Sequence, residues 1–327
     1  MKEKVHMNII QEPKTEIKLK SIVLWSIITL VTAQFILFLV FSNLLLSVNN
    51  QNYYFERLDL NQLWEYSTGY GQTIAIIDSG ITNEAMELFQ DNIIGVYNAI
   101  DSSQNVLDED QYSHGTQMIS IIIGNGEASV YGIAPSAQVV IIRAFEGFSS
   151  QTSGEILTRA VEHAILQEVD MINMSFGSFQ VYDTLEQAIE KAIEAGIIVV
   201  AATGDYGHKD SLFPASKEGV VSVRARDITG NFWERSNIGE NDIMSMYGVD
   251  IQALTFNNET IKMSGTSQAT ALATGYIALI RDYYTRNGVQ LSNEEMLDIL
   301  IALDSNVEND VDFLTPFRQL EYRHLTN

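Results

Sequence analysis

Three short segments of this chain carry side chains suited to moving an acyl group and a proton. Asp78 ends the apolar run Thr73-Ile74-Ala75-Ile76-Ile77. His114 opens the segment His114-Gly115-Thr116, just after Ser113. Ser267 sits inside Ser264-Gly265-Thr266-Ser267-Gln268-Ala269-Thr270-Ala271. Carboxylate, imidazole and hydroxyl together form the minimum set for acyl transfer: a nucleophile, its base, and the group that orients the base. Each lies in a Gly/Ser/Thr context that suits the end of an element. The remaining histidines are less promising. His163 lies beside Glu162 in a helical stretch, His208 in a loop, His324 in the tail and His6 near the N-terminus. None has metal-ligand spacing with another.

The elements that must position these residues are legible as an alternation. Ile74–Ile77, Val139–Ile142, Met171–Met174 and Ile197–Ala202 are short, apolar and rich in β-branched residues, as strands buried on both faces are. Helix-like stretches lie between them at Met118–Ile123, Glu155–Gln167 and Thr184–Ala195. The last of these ends at Gly196, a good residue just past a helix. Such alternation predicts a parallel sheet with right-handed crossovers. A short helix is expected over Leu58–Tyr66. A long helix rich in small residues is expected from Thr266 or Ser267 through Ile280. Ser292-Asn293-Glu294-Glu295 has the pattern of a capping box before a helix over Met296–Ala302. Beyond Ser305 the chain reads as acidic and irregular.

With 327 residues, 46% of them hydrophobic, the chain is long enough for one large α/β core. It has no cysteine, so packing or bound ions must stabilise it. Its formal charge is −23, although residues 1–20 carry five Lys against three Glu. A body this acidic repels nucleic-acid phosphates, which excludes that class of partner. Residues 21–48 (Ser21 to Val48) contain no charged residue. That run reaches ~42 Å as a helix, more than the ~30 Å hydrocarbon core of a bilayer. It is too long for a signal-peptide apolar region and lacks an A-x-A-like cleavage site. Lys14, Lys18 and Lys20 precede it. The expected topology is a single-pass signal anchor, with a cytoplasmic segment over 1–20, a span over 21–48 and an extracytoplasmic domain over 53–327.

The three segments, in the order Asp, His, Ser, resemble the signatures of the subtilisin-type serine proteases (subtilases, peptidase S8). The resemblance covers roughly Tyr53 to Ala302. It implies a three-layer α/β fold with a mostly parallel central sheet and helices on both faces, here preceded by the transmembrane helix. It implies that Ser267 attacks a peptide carbonyl, His114 relays the proton, and Asp78 orients the imidazole. The Ser267 backbone N–H would help hold the oxyanion. Ser175, Phe176 and Gly177 resemble the family's strand that pairs with extended substrate, and Ala202, Thr203 and Gly204 resemble the opposite pocket wall. Leu212 is expected at the pocket floor or in the core behind it. No cofactor is implied. Calcium is a family possibility for which this chain shows no clear ligand set, and no metal residue is assigned.

Four features depart from the family pattern. Asp205 stands where the family has an Asn whose amide donates to the oxyanion. A donor of this kind contributes ~3–4 kcal/mol, a magnitude established within that family. A protonated Asp205 would still donate, as carboxylic acids kept neutral do in other enzymes, and one branch of the eukaryotic proprotein convertases carries Asp there and is active. Activity is therefore expected to be slow or favoured at mildly acidic pH. Gln117 follows His-Gly-Thr where a His is common, and Thr270-Ala271 replaces a segment that usually contains Pro. The resemblance begins almost directly after the apolar run, leaving little room for a prodomain, so unaided or assisted folding is expected, with no activator identifiable. The sequence reading is a membrane-anchored serine endopeptidase acting on exported peptides or proteins. The alternative is a catalytically impaired domain that binds extended peptides.

Overall fold

The computed structural model describes residues 53–147, 151–305 and 311–326, together with Trp25, Thr32 and Gln34. Met1–Gln51 and Asn52–Asn327 are separate units, and the fold is that of the second. Apart from those three helical residues, the expected span over 21–48 lies outside the described residues. Among the described residues, no helix is long and apolar enough to cross a membrane.

In chain order the first half comprises α1 (Tyr53–Arg57), α2 (Leu60–Tyr66), β1 (Thr73–Asp78), α3 (Asn83–Leu88), β2 (Ile93–Asn98), α4 (His114–Ile123), β3 (Gln138–Arg143) and α5 (Gly154–Leu166). Then come β4 (Met171–Met174), α6 (Asp183–Glu194), β5 (Ile198–Ala202), β6 (Val221–Arg226), β7 (Met244–Tyr247), the hairpin β8 (Ile251–Leu254) and β9 (Thr260–Met263), α7 (Thr266–Arg286), α8 (Asn293–Ser305) and α9 (Thr315–Thr326).

Seven strands form one sheet in the order β2-β3-β1-β4-β5-β6-β7. Every neighbouring pair in it is parallel. Alternate side chains of the central strands β1, β3 and β5 enter different cores. Ile74, Ile76, Val139 and Ile141 join one, while Ala75, Ile77, Val140 and Ile142 join the other. Both faces are therefore covered, which is why these strands read as continuous apolar runs. Helices α4 and α7 contribute to the first core, and α5 and α6 to the second. From β1 the sheet grows one way through β3 and β2, and the other way through β4 to β7. The strand order reverses at β1, and α/β folds place their sites at such a point, beyond the carboxyl ends of the strands. Asp78 ends β1 there.

Helix α7 is buried along most of its length, from Thr266 to Tyr284. It packs across β4, β5, β6 and β7. Its early run of Ala, Thr and Gly permits that close approach. The capping box before α8 forms as expected: the Ser292 N–H donates to Glu295 Oε2 at 2.8 Å, and the Glu295 N–H donates to Ser292 Oγ at 3.2 Å. One expectation is corrected. The stretch after Ser305 is not irregular throughout, because Thr315–Thr326 is helical. Phe313, Leu314, Phe317 and Leu320 are buried at near-helical spacing. Tyr276 and Tyr284 of α7 donate hydroxyl hydrogen bonds to the Phe313 and Pro316 carbonyls at 2.7 and 3.0 Å. The acidic residues around this stretch mask its apolar stripe.

Candidate active site

Asp78 and His114 meet because β1 and α4 nearly touch. A Cβ on Gly115 would lie 2.2 Å from the Gly80 carbonyl oxygen, so only glycine fits beside the histidine. Ser79 Oγ accepts the Gly115 N–H at 2.8 Å, fastening strand end to helix start. Two further acids hold the first turn of α4. Asp110 Oδ2 accepts the Tyr112 and His114 N–H groups at 3.0 and 3.2 Å. Asp108 Oδ2 accepts the Thr116 N–H and hydroxyl, both at 3.2 Å. These carboxylates satisfy donors that a helix start leaves open, and they complement its dipole. Neither stood out in the sequence, although acids just before His114 are a recognisable helix-start signal.

The His114 Nδ1 lies 2.7 Å from Asp78 Oδ1. That oxygen also accepts the Ser79 N–H at 2.8 Å, while Oδ2 is buried with no hydrogen-bond partner among the described residues. Burial works to lower the imidazole pKa. The charge and hydrogen bond of Asp78, with Asp110 and Asp108 behind it, outweigh burial and push it up to about 9. Burial likewise pushes the Asp108 carboxyl up, and the Asp78 charge adds to this against the N–H donors that Asp108 accepts.

Ser267 is the second residue of α7, where the main-chain N–H has no acceptor within the helix. Its hydroxyl donates to the Ser175 carbonyl at 2.7 Å, and the Ser175 hydroxyl donates to the Ser267 carbonyl at 3.1 Å. This reciprocal pair clamps the start of α7 to the end of β4. Asn173 and Thr274 extend it: the Asn173 amide donates to Ser175 Oγ at 3.0 Å, and the Thr274 hydroxyl donates to Asn173 Oδ1 at 2.9 Å. Among the described residues there is no hydrogen bond between His114 and the Ser267 hydroxyl. Ser175, whose carbonyl holds the Ser267 hydroxyl, lines the same cleft as His114.

Asp205 has a role the sequence did not reveal. Its Oδ1 accepts both the Thr266 N–H, at 2.8 Å, and the Thr266 hydroxyl, at 2.7 Å. Thr266 Oγ1 in turn accepts the Gly204 N–H at 3.1 Å. Asp205 thus caps the helix of Ser267 from a neighbouring loop, and Gly265, at the helix's own cap position, makes no such bond with a side chain.

Three clefts share Phe176 as a wall. One of about 160 Å³ contains Asp78, His114 and Ser175. One of about 230 Å³ contains Gly177, Ala202, Gly204, Asp205, Leu212 and Ser267. A third, of about 440 Å³, is lined by Phe145, Leu157, Tyr182 and Phe213 among others. Leu212 reaches between the walls of the second cleft. A Cβ on Gly177 or Gly204 would come within 2.7 or 2.8 Å of its side chain, and Gly204 also has a φ of +109°. Thr203, expected among the substrate contacts, does not line these clefts. Its side chain is buried and donates to the Asn237 carbonyl at 3.0 Å, so it backs the wall. Arg235 and Tyr206, which the sequence did not suggest, line the Ser267 cleft. Among the described residues, no group of three or more His, Asp or Glu side chains is placed to hold a metal ion.

Residues 69–313 match the model of the Subtilase family. The chain belongs to this family. The subtilase is 32% identical over 217 residues to the thermostable alkaline protease of Halalkalibacterium halodurans, covering 66% of this chain and 58% of that protein. It is 32% identical over 261 residues to the minor extracellular protease Epr of Bacillus subtilis, covering 78% of this chain and 39% of that protein. The subtilase therefore spans roughly half the length of these relatives. Among solved structures, the prenylagaramide maturation protease PagA matches with a TM-score of 0.64 and 29% identity, covering 75% of this chain and 86% of that one.

Proposed function

We propose that this subtilase is a serine endopeptidase in which Ser267 attacks the peptide carbonyl, His114 carries the proton and Asp78 orients the imidazole. The observation that carries this reading is the 2.7 Å His114–Asp78 contact at the start of α4, a helix that packs against α7, where Ser267 lies. The Ser267 hydroxyl first leaves the Ser175 carbonyl. Neutral His114 then takes its proton and later passes it to the leaving amine. The Ser267 main-chain N–H and the helix start stabilise the oxyanion. Asp205, engaged as an acceptor, serves to hold the nucleophile's helix. An extended substrate running past Ser175, Phe176 and Gly177 meets three clefts in turn, with Leu212 offering an apolar surface to one side chain.

The same reading puts the enzyme at a membrane. The uncharged run of residues 21–48, preceded by three lysines within seven residues, supports a single-pass anchor with the peptidase outside the cytoplasm. Tethering would concentrate the enzyme near exported peptides and proteins.

A second reading, a peptide-binding domain with little turnover, is favoured by Asp205, which offers no donor to the oxyanion in this arrangement. Cleavage of a peptide library by the full chain separates the two. The enzyme reading expects fragments from the parent and none from Ser267→Ala. Equal fragment yield from both proteins, or none from a folded parent, favours the second.

A further inference from the structure

We infer that Arg235 makes the Ser267 cleft selective for peptides with an acidic side chain next to the residue that enters it, an inference that rests on the peptidase reading for its use. Arg235 is exposed and lines this cleft together with Asp205, Thr266 and Ser267. The protein is strongly acidic, and its other arginines are largely committed. Arg143, Arg224, Arg281 and Arg286 each hold a carboxylate. Arg235 holds none among the described residues. Its guanidinium lies 5.4 Å from the Trp233 ring centroid, and Nη2 donates to the Asp205 main-chain carbonyl at 3.4 Å, a long contact. A guanidinium has five N–H donors in a planar fork, and among the described residues Arg235 uses one of them, so most of its capacity is open to a ligand at this cleft. Lying over an aromatic ring limits the freedom it loses on binding.

Two features of the cleft argue against Arg235 as a mere solubilising surface charge. The carboxylate of Asp205, the acid within the cleft, has Oδ1 committed to Thr266 and meets Arg235 only through its main-chain oxygen. Leu212 supplies an apolar surface, so a carboxylate is not accommodated deep in the cleft and belongs at its mouth. The net charge of −23 opposes acidic ligands at long range. That repulsion is screened beyond ~8 Å at physiological salt, whereas a cation in direct contact is not. Local charge therefore decides the preference.

The test uses the full chain carrying Ser267→Ala, so that binding is read without turnover. Fluorescent peptides contain one leucine in an alanine-rich sequence, with Glu or Gln on either side of it. Anisotropy titrations are expected to show Glu favoured about fivefold over Gln on one side of the leucine, the size of a rim ion pair. The ratio should fall to about one in the Arg235→Gln protein and invert in Arg235→Glu. A ratio near one with Arg235 intact overturns the inference, as does a Glu preference that survives Arg235→Gln. Cleavage of the same peptides by the parent is scored separately. A retained preference without cleavage would sink the peptidase reading alone.

Discussion

In the proposed proton relay, His114 sets the pH behaviour. Only the neutral imidazole can take the serine proton, and its three carboxylate neighbours push its pKa up to about 9. Activity should therefore climb as pH rises through about 9, which a kcat/KM profile on a neutral peptide would reveal. Asp110→Asn should move that limb toward lower pH. A profile falling above neutrality would count against this assignment. Stability carries the opposite sign. The raised pKa stabilises the fold fully below about 6.5, and this contribution is lost as pH rises through about 9. The difference in thermal midpoint between parent and His114→Gln should shrink over that window. An acid optimum was the expectation from Asp205 as a protonated donor. The sequence revealed the substitution itself, but the carboxylate's partners lie 61 residues away at Thr266, and only the folded chain brings them together. Asp205→Asn keeps an acceptor for Thr266 and adds an amide donor. Its kcat should rise on the order of tenfold or more, part of the ~3–4 kcal/mol such donors supply in this family. An unchanged kcat would show that the amide does not reach the oxyanion.

At the scale of elements, the start of α7 is held by partners outside the helix. Thr266→Val preserves the side chain's shape but removes the acceptor of the buried Gly204 N–H and a donor to Asp205. Denaturant titration should show a loss of about 1–3 kcal/mol. A loss near zero would mean the Asp205–Thr266 contact is incidental. The packing of α4 on β1 is stricter still. Gly115→Ala sets a methyl group against the Gly80 carbonyl, and either the fold or the His114–Asp78 contact must give way. Strands β1, β3, β4 and β5 were legible because they are almost wholly buried and mostly apolar, whereas β2, β6, β7 and the hairpin β8–β9 were not, because glycine or polar residues interrupt their apolar runs. Helix α9 was not, because its apolar stripe of Phe313, Leu314, Phe317 and Leu320 is short and set among charges. The inward turn of Thr203 toward the Asn237 carbonyl was not legible either, because a partner 34 residues away is brought to it only by the packing.

For the whole molecule, the proposed anchor and the catalytic unit make separate predictions. The full chain should sediment with membranes and resist extraction by high salt, while residues 53–327 alone should remain in solution. Equal partitioning of the two would remove the anchor from the account. The net charge of −23 repels polyanions at long range but does not identify a substrate, because the proposed recognition rests on a few groups in the clefts, Leu212 and Arg235 among them. The central claim is that distant side chains of one polypeptide form a single proton relay on Ser267. Its most direct test is the rate at which a fluorophosphonate labels the full chain between pH 6 and pH 10, with the modified residue located by mass spectrometry. The account expects one adduct, on Ser267, forming faster as His114 loses its proton and at least a hundredfold more slowly in His114→Ala. An adduct elsewhere, or a rate indifferent to His114, would contradict it.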